Sequence, residues 1–156
     1  KNQDLYDIIK TTNNEVRNWD EIYSQYTWAG YTVHDTGKKN KMFQYLKFND
    51  SCSTYGVSSI KSDENLIIGC FKDSANQNAY MIVNAGQSEY SKYTNRNKYV
   101  DNAKFAMESG SVTLKFNQSY NHAIIIKNGV KSLINVGSDS LTLSYDSYDG
   151  MFVIPF

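Results

Sequence analysis

Proline is nearly missing from this chain, one residue in 156, and there are only two cysteines and two histidines. Charge of either sign is not in excess, since 16 basic residues balance 16 acidic ones. Each shortage removes a class of protein. Cys52 and Cys70 allow one bridge at most, which is no disulfide framework. Cys52 lies in a turn-like stretch, Asp50-Ser-Cys-Ser, and Cys70, between Ile68 and Phe71, reads as a small buried hydrophobe. No basic stripe is present to meet nucleic acid. No apolar run is long enough for a membrane-spanning helix, so neither nucleic acid nor membrane is expected as a partner. There is no glycine-rich phosphate loop. His34 and His122 are far apart and have no ligand neighbours at metal spacing, so both are expected at the surface or at strand ends. No cofactor and no metal centre are expected. The chain starts at Lys1 without initiator Met or signal peptide and is expected to be a piece of something longer.

What is there is enough for one ordinary domain with a single core. The first segment carries helical spacing: Leu5, Ile8, Ile9, Val16, Trp19, Ile22, Tyr23 and Tyr26 fall on one side. Asp4 suits the positive end of a helix dipole. This predicts an amphipathic helix from about Asp4 to Tyr26 whose stripe packs on a sheet or on a partner.

From Tyr31 onward the period becomes two. Strands are predicted at 30–34, 41–48, 57–61, 66–72, 79–84, 104–107, 111–117, 123–127, 131–135, 140–145 and 151–155. Val112, Leu114 and Phe116 alternate with Thr113 and Lys115, and Leu141, Leu143 and Tyr145 alternate likewise. Ile124-Ile125-Ile126 reads as a strand covered on both faces. Asn128-Gly129 marks a type I′ hairpin, and Ser109-Gly110 and Asp149-Gly150 mark further turns. Residues 85–100 carry no assignable element. The 13 tyrosines suit half-buried sheet positions, ring packed and hydroxyl wet. The fold class expected is all-β: an antiparallel β-sandwich over 27–156 with one amino-terminal helix over 1–26. Strand 151–155 is expected to pair with 140–145 through the Asp146–Gly150 turn, with Phe152 and Ile154 in the inter-sheet core.

The order of several segments resembles the carboxyl-terminal domain of bacterial glycoside hydrolases with a (β/α)8 catalytic barrel. They are Leu66-Ile-Ile-Gly-Cys-Phe-Lys-Asp73, Ala79-Tyr-Met-Ile-Val-Asn84, Ser111-Val-Thr-Leu-Lys-Phe-Asn117, Ala123-Ile-Ile-Ile-Lys-Asn-Gly129, and the closing pair Ser140-Leu-Thr-Leu-Ser144 and Gly150-Met-Phe-Val-Ile-Pro155. Leu5 to Tyr26, with Asn13-Asn-Glu-Val-Arg-Asn-Trp19, is similar to the last helix of such a barrel. The closing turn, Asp146-Ser-Tyr-Asp149, departs from the family's pattern. The resemblance implies a hydrolase as parent and its catalytic barrel as partner. It also implies a non-catalytic accessory domain in this chain, because the family's two catalytic carboxylates project from barrel strands absent here.

The residues themselves agree with that absence. Glycoside hydrolysis needs two carboxyl groups about 5–5.5 Å or about 6.5–9.5 Å apart. Glu15 and Glu21 belong to the helix, Glu64 to a Ser-Asp-Glu-Asn turn, and Glu89 and Glu108 to polar loops. All five read as solvated charges. Polysaccharide is the one ligand that the composition favours, since sugars stack apolar C–H faces on exposed aromatic rings. Candidates are Trp28 and Tyr31, in Trp28-Ala-Gly-Tyr31, and Tyr90, Tyr93 and Tyr99. For Trp28 the preferred role is interface packing, formerly against the barrel and now against the sandwich. Asp139, Asp146 and Asp149 carry oxygen ligands of the kind that hold Ca2+, but turn residues making Asx hydrogen bonds are the better reading of them.

Overall fold

The computed structural model describes residues 6, 9–10, 13, 16–17, 19–20, 22, 24–40, 43, 46, 51–89, 104–106, 108–146 and 150–156, with backbone alone at 88–89 and 104–106. The strands are β1 (Thr27–His34), β2 (Val57–Ser62), β3 (Leu66–Lys72), β4 (Asn78–Asn84), β5 (Gln87–Glu89), β6 (Lys104–Ala106), β7 (Gly110–Phe116), β8 (His122–Lys127), β9 (Val130–Asn135), β10 (Ser140–Tyr145) and β11 (Gly150–Pro155). They form a six-stranded sheet in the order β1-β3-β4-β11-β8-β9, a three-stranded sheet β10-β7-β2, and a small pair β5-β6. Every pairing is antiparallel. The all-β, two-sheet architecture expected from the alternating pattern is therefore present.

The core lies between the two large sheets. Leu66, Ile68 and Cys70 of β3, Tyr80 and Ile82 of β4, and Met151 and Val153 of β11 meet Val112, Leu114 and Phe116 of β7, with Leu141 and Tyr145 of β10. The period-two patterns of β7 and β10 thus point inward as the sequence suggests. Cys70 is buried, and neither it nor Cys52 forms a disulfide. Asn128 and Gly129 both have positive φ, 51° and 71°, and Lys127 pairs with Val130 across them. That is the two-residue turn which asparagine and glycine can enter with little strain.

The far face of the six-stranded sheet is also apolar. Ala79, Ile126 and Phe152 are buried there beneath Trp19, Ile22 and Tyr26, with Ile124 and Ile154 beside them. The isoleucine run of β8 is accordingly covered on both sides, Ile125 toward the other sheet and its two neighbours toward the amino-terminal segment. The described residues from Tyr6 to Ile22 have helical backbone, and the Ser24 and Tyr26 N–H groups bond Asp20 O and Ile22 O, each at 3.1 Å. The intervening positions, Leu5, Ile8 and Tyr23 among them, lie outside the described residues. Ile22 is buried and Trp19 partly so, whereas Tyr6, Ile9 and Val16 are exposed; among the described residues of the stripe, those nearest β1 are the covered ones.

Three expectations are corrected. Strand β11 does not pair with β10: it lies between β4 and β8 in the large sheet, while β10 pairs with β7 in the small one. The closing strands therefore face each other across the core and do not form a hairpin. Phe152 and Ile154 are not in the inter-sheet core either. Met151 and Val153 occupy it, and Phe152 sits on the opposite face. Most of the strand predicted at 41–48 lies outside the described residues. At its described positions the chain turns, with Phe43 N–H bonding Asn40 O at 3.2 Å and Leu46 N–H bonding Phe43 O at 3.3 Å. Such i→i−3 bonds consume the donors that a ladder would use. The unassigned stretch from Ala85 contributes β5.

Candidate functional site

Strand β1 is an edge of the large sheet, and its first half carries an irregularity. Trp28 lies opposite Phe71 and Tyr31 opposite Gly69, with a register shift between Trp28 and Gly30. In a regular strand, residues three apart point to opposite faces. The extra residue of the bulge cancels that, and Trp28 and Tyr31 come to the same face as Phe71. Gly30 has φ 152°, a conformation that disfavours a side chain. Bulges re-aim side chains in this manner beside binding sites.

The result is an aromatic face near the sheet edge. Trp28 is 62% exposed and Tyr31 is half-buried. Gly69, opposite Tyr31, adds no side chain of its own. The Phe71 ring leans into that space, 3.2 Å from where a Gly69 Cβ would stand, and Phe71 is itself braced edge-on by Phe152 at 5.5 Å. The Trp28 indole is therefore not consumed by packing on the sandwich. An exposed ring beside a half-buried tyrosine offers π faces and a hydroxyl together, which suits the apolar face and rim hydroxyls of a sugar. Tyr90, Tyr93 and Tyr99, expected to contribute, lie outside the described residues.

The opposite end of β1 leads into a polar cluster that the sequence did not announce. Glu64, expected to be a solvated charge, is 3% exposed. Its Oε1 is held by the Lys38 ammonium, and its Oε2 has no hydrogen-bond partner among the described residues. Next to it, Asn65 is fully buried and uses its whole amide. Oδ1 accepts from Thr36 N–H at 2.9 Å and Thr36 Oγ1 at 2.8 Å, while Nδ2 donates to Lys38 O at 2.8 Å and Gly86 O at 3.0 Å. Asn40 Nδ2 donates to Ala85 O and Gly86 O, and Asn84 Nδ2 donates to Glu108 O. Asn40, Asn65 and one ion pair thus tie the segment after β1 to the β2–β3 and β4–β5 corners, and Asn84 ties the end of β4 to Glu108. The carboxylate beside Lys38 raises the lysine pKa above its ordinary value. Nothing in local spacing reveals this cluster, because Lys38 and Glu64 are far apart in the chain. Its visible chemistry is anchoring.

The remaining candidates are dispersed. Asp139 pairs with Lys115 at 3.5 Å and Asp146 with Lys127 at 3.1 Å, while Asp149 lies outside the described residues. Among the described residues no three His, Cys, Asp or Glu side chains gather as metal ligands. His34 ends β1 with Nε2 2.9 Å from Ser62 O, and His122 opens β8 stacked on Phe156 at 5.8 Å. Glu108 is exposed; Glu15, Glu21 and the Glu89 side chain lie outside the described residues. Shallow grooves run beside the amino-terminal segment, two of them shared with the sandwich. One of about 410 Å³ includes Trp19, Asp20 and Met81, and one of about 370 Å³ includes Tyr26, Ile124 and Phe156. Neither brings two carboxylates together among its described lining residues. Among the described residues no helix is long and apolar enough to cross a membrane. Comparison of the chain with models of known families, with curated proteins and with solved structures returns no match.

Proposed function

We propose that this chain is a non-catalytic accessory β-sandwich of a carbohydrate-active enzyme, a glycoside hydrolase, that braces its catalytic barrel and touches polysaccharide through Trp28 and Tyr31. In this reading residues 4–26 form one amphipathic helix with two covered flanks. The observation that carries it is the split exposure of that segment. Trp19, Ile22 and Tyr26 lie on the sandwich, whereas Tyr6, Ile9 and Val16 are 60%, 50% and 60% exposed. Apolar side chains left in water along one stripe suit a second body, and the barrel is the body that the family resemblance supplies.

The test is a triple variant, Tyr6→Ser, Ile9→Ser and Val16→Ser. It should melt with the unmodified chain, because none of the three contributes to this chain's core. A clear fall in melting temperature would place them inside the fold and remove the barrel-facing surface. The isolated chain should also hydrolyse no aryl glycoside. Turnover abolished by changing Glu64 or Glu108 would instead select a small enzyme.

The geometry of β1 favours a second reading, a free-standing carbohydrate-binding module. Affinity electrophoresis against soluble polysaccharides separates the two. Retardation corresponding to micromolar affinity and lost in Trp28→Ala selects the module; weak retardation or none leaves the brace.

A further inference from the structure

The free edges of the two large sheets are treated differently. Strand β1 is bulged between Trp28 and Gly30 and β2 between Val57 and Ser59. Along β10 the Ser144 carbonyl accepts from Lys127 Nζ at 3.3 Å. Bulges and covering side chains are the usual protections of an edge. Among the described residues, strand β9 has neither. It has an unbroken register, no proline and one charge, Lys131. Val130 is 65% exposed and Leu133 63%.

The hairpin geometry fixes which backbone groups are open. The two-residue turn at Asn128-Gly129 makes Lys127 and Val130 a hydrogen-bonded pair, and such pairs then alternate along the ladder. Val130, Ser132 and Ile134 therefore bond β8, and Val136 continues the series, its N–H meeting Asn121 O at 2.9 Å. Lys131, Leu133 and Asn135 direct their N–H and C=O groups to the open side.

We propose that β9 pairs antiparallel with β9 of a second copy of this chain, about a two-fold axis through Leu133, to give a continuous sheet across a homodimer. In this register Leu133 lies opposite Leu133 of the second copy and Lys131 opposite Asn135, so all three outward-directed residues bond and about six backbone hydrogen bonds form. Val130 comes opposite Val136 on the inner face. No like charges oppose each other, and both exposed apolar side chains gain apolar partners. Moving the axis to Ser132 opposes Lys131 to Leu133 and leaves Asn135 without an opposite number in the strand. The interface is isologous, so it closes at two copies.

Sedimentation equilibrium of the whole chain, from micromolar to millimolar concentration, tests this. The weight-average mass should rise toward twice that of the chain. Leu133→Lys sets like charges face to face, and Leu133→Pro removes an outward N–H that β8 does not use. Each should move the midpoint to at least about tenfold higher concentration, while Trp28→Ala keeps it. Should both variants fail to fold, amide exchange of the unmodified chain decides. Lys131, Leu133 and Asn135 amides should gain protection as concentration rises, while that of the Ser132 amide changes less. A chain that stays monomeric at millimolar concentration, variants that associate like the parent, or odd-numbered amides that exchange equally fast at all concentrations would each overturn the dimer.

Discussion

Tyr80 is fully buried between the sheets, and its hydroxyl donates to Tyr55 O at 2.7 Å. Burial, with smaller contributions from Tyr120 and Cys70, pushes its pKa far above the ordinary tyrosine value. An unfolded tyrosine ionises near pH 10, so above that pH the native state binds more protons than the unfolded one and stability must fall as pH rises. Tyr80→Phe loses the hydrogen bond and leaves a buried carbonyl short of a donor, at a cost of about 1–3 kcal/mol at neutral pH. It also removes this titration. The difference in unfolding free energy between parent and variant should shrink by about 1.4 kcal/mol between pH 9 and pH 11, read from urea melts at both. A constant difference would mean that Tyr80 ionises in the native state as freely as in the unfolded chain. Single residues were legible where the neighbouring sequence set their environment, as for Cys70 and the isoleucines of β8. Glu64 was not, because its burial comes from Lys38 and from corners assembled out of distant segments.

Strand positions were largely legible, since period-two alternation follows from the pleat itself; β3 and β10 run over the residues expected of them. Which strands neighbour each other was not. Adjacency in sequence suggests a β10–β11 hairpin, yet the chain crosses from one sheet to the other between them. Alternation also separates two faces without saying what covers each. In β11 both faces are buried, so the choice between Phe152 and Val153 for the inter-sheet side had no signal in the strand. Phe152 instead meets Trp19 and Tyr26 in edge-on contacts at 6.2 Å and 5.6 Å. Phe152→Ala should still cost about 3–5 kcal/mol, so destabilisation alone does not report the face. A double-mutant cycle does. Phe152→Ala combined with Trp19→Ala should show a coupling of about 0.5–1.5 kcal/mol, and combined with Leu114→Ala should add within about 0.5 kcal/mol. Strong coupling to Leu114 and none to Trp19 would return the ring to the inter-sheet core.

For the molecule as a whole, the large sheet has an apolar layer on each face, and only one of them is closed by the second sheet. The other depends on residues before β1: Ile22 is buried against Ala79, Ile126 and Phe152, with Trp19 and Tyr26 packed around them. The amino-terminal segment is thus part of the fold and also reaches beyond it. A chain beginning at Thr27 keeps every described strand and the inter-sheet core but uncovers Phe152, Ile126 and their neighbours. Each large side chain returned to water forfeits about 1.5–3 kcal/mol, against a total stability of about 5–15 kcal/mol for an ordinary domain. The truncated chain should therefore lose several kcal/mol in chemical denaturation and bind a hydrophobic dye that the full chain does not. Adding residues 1–26 back as a separate peptide should restore part of the loss and displace the dye. A truncated chain as stable as the parent and free of dye would mean that the outer face tolerates water, and that Trp19 and Ile22 rest on the sheet without holding it.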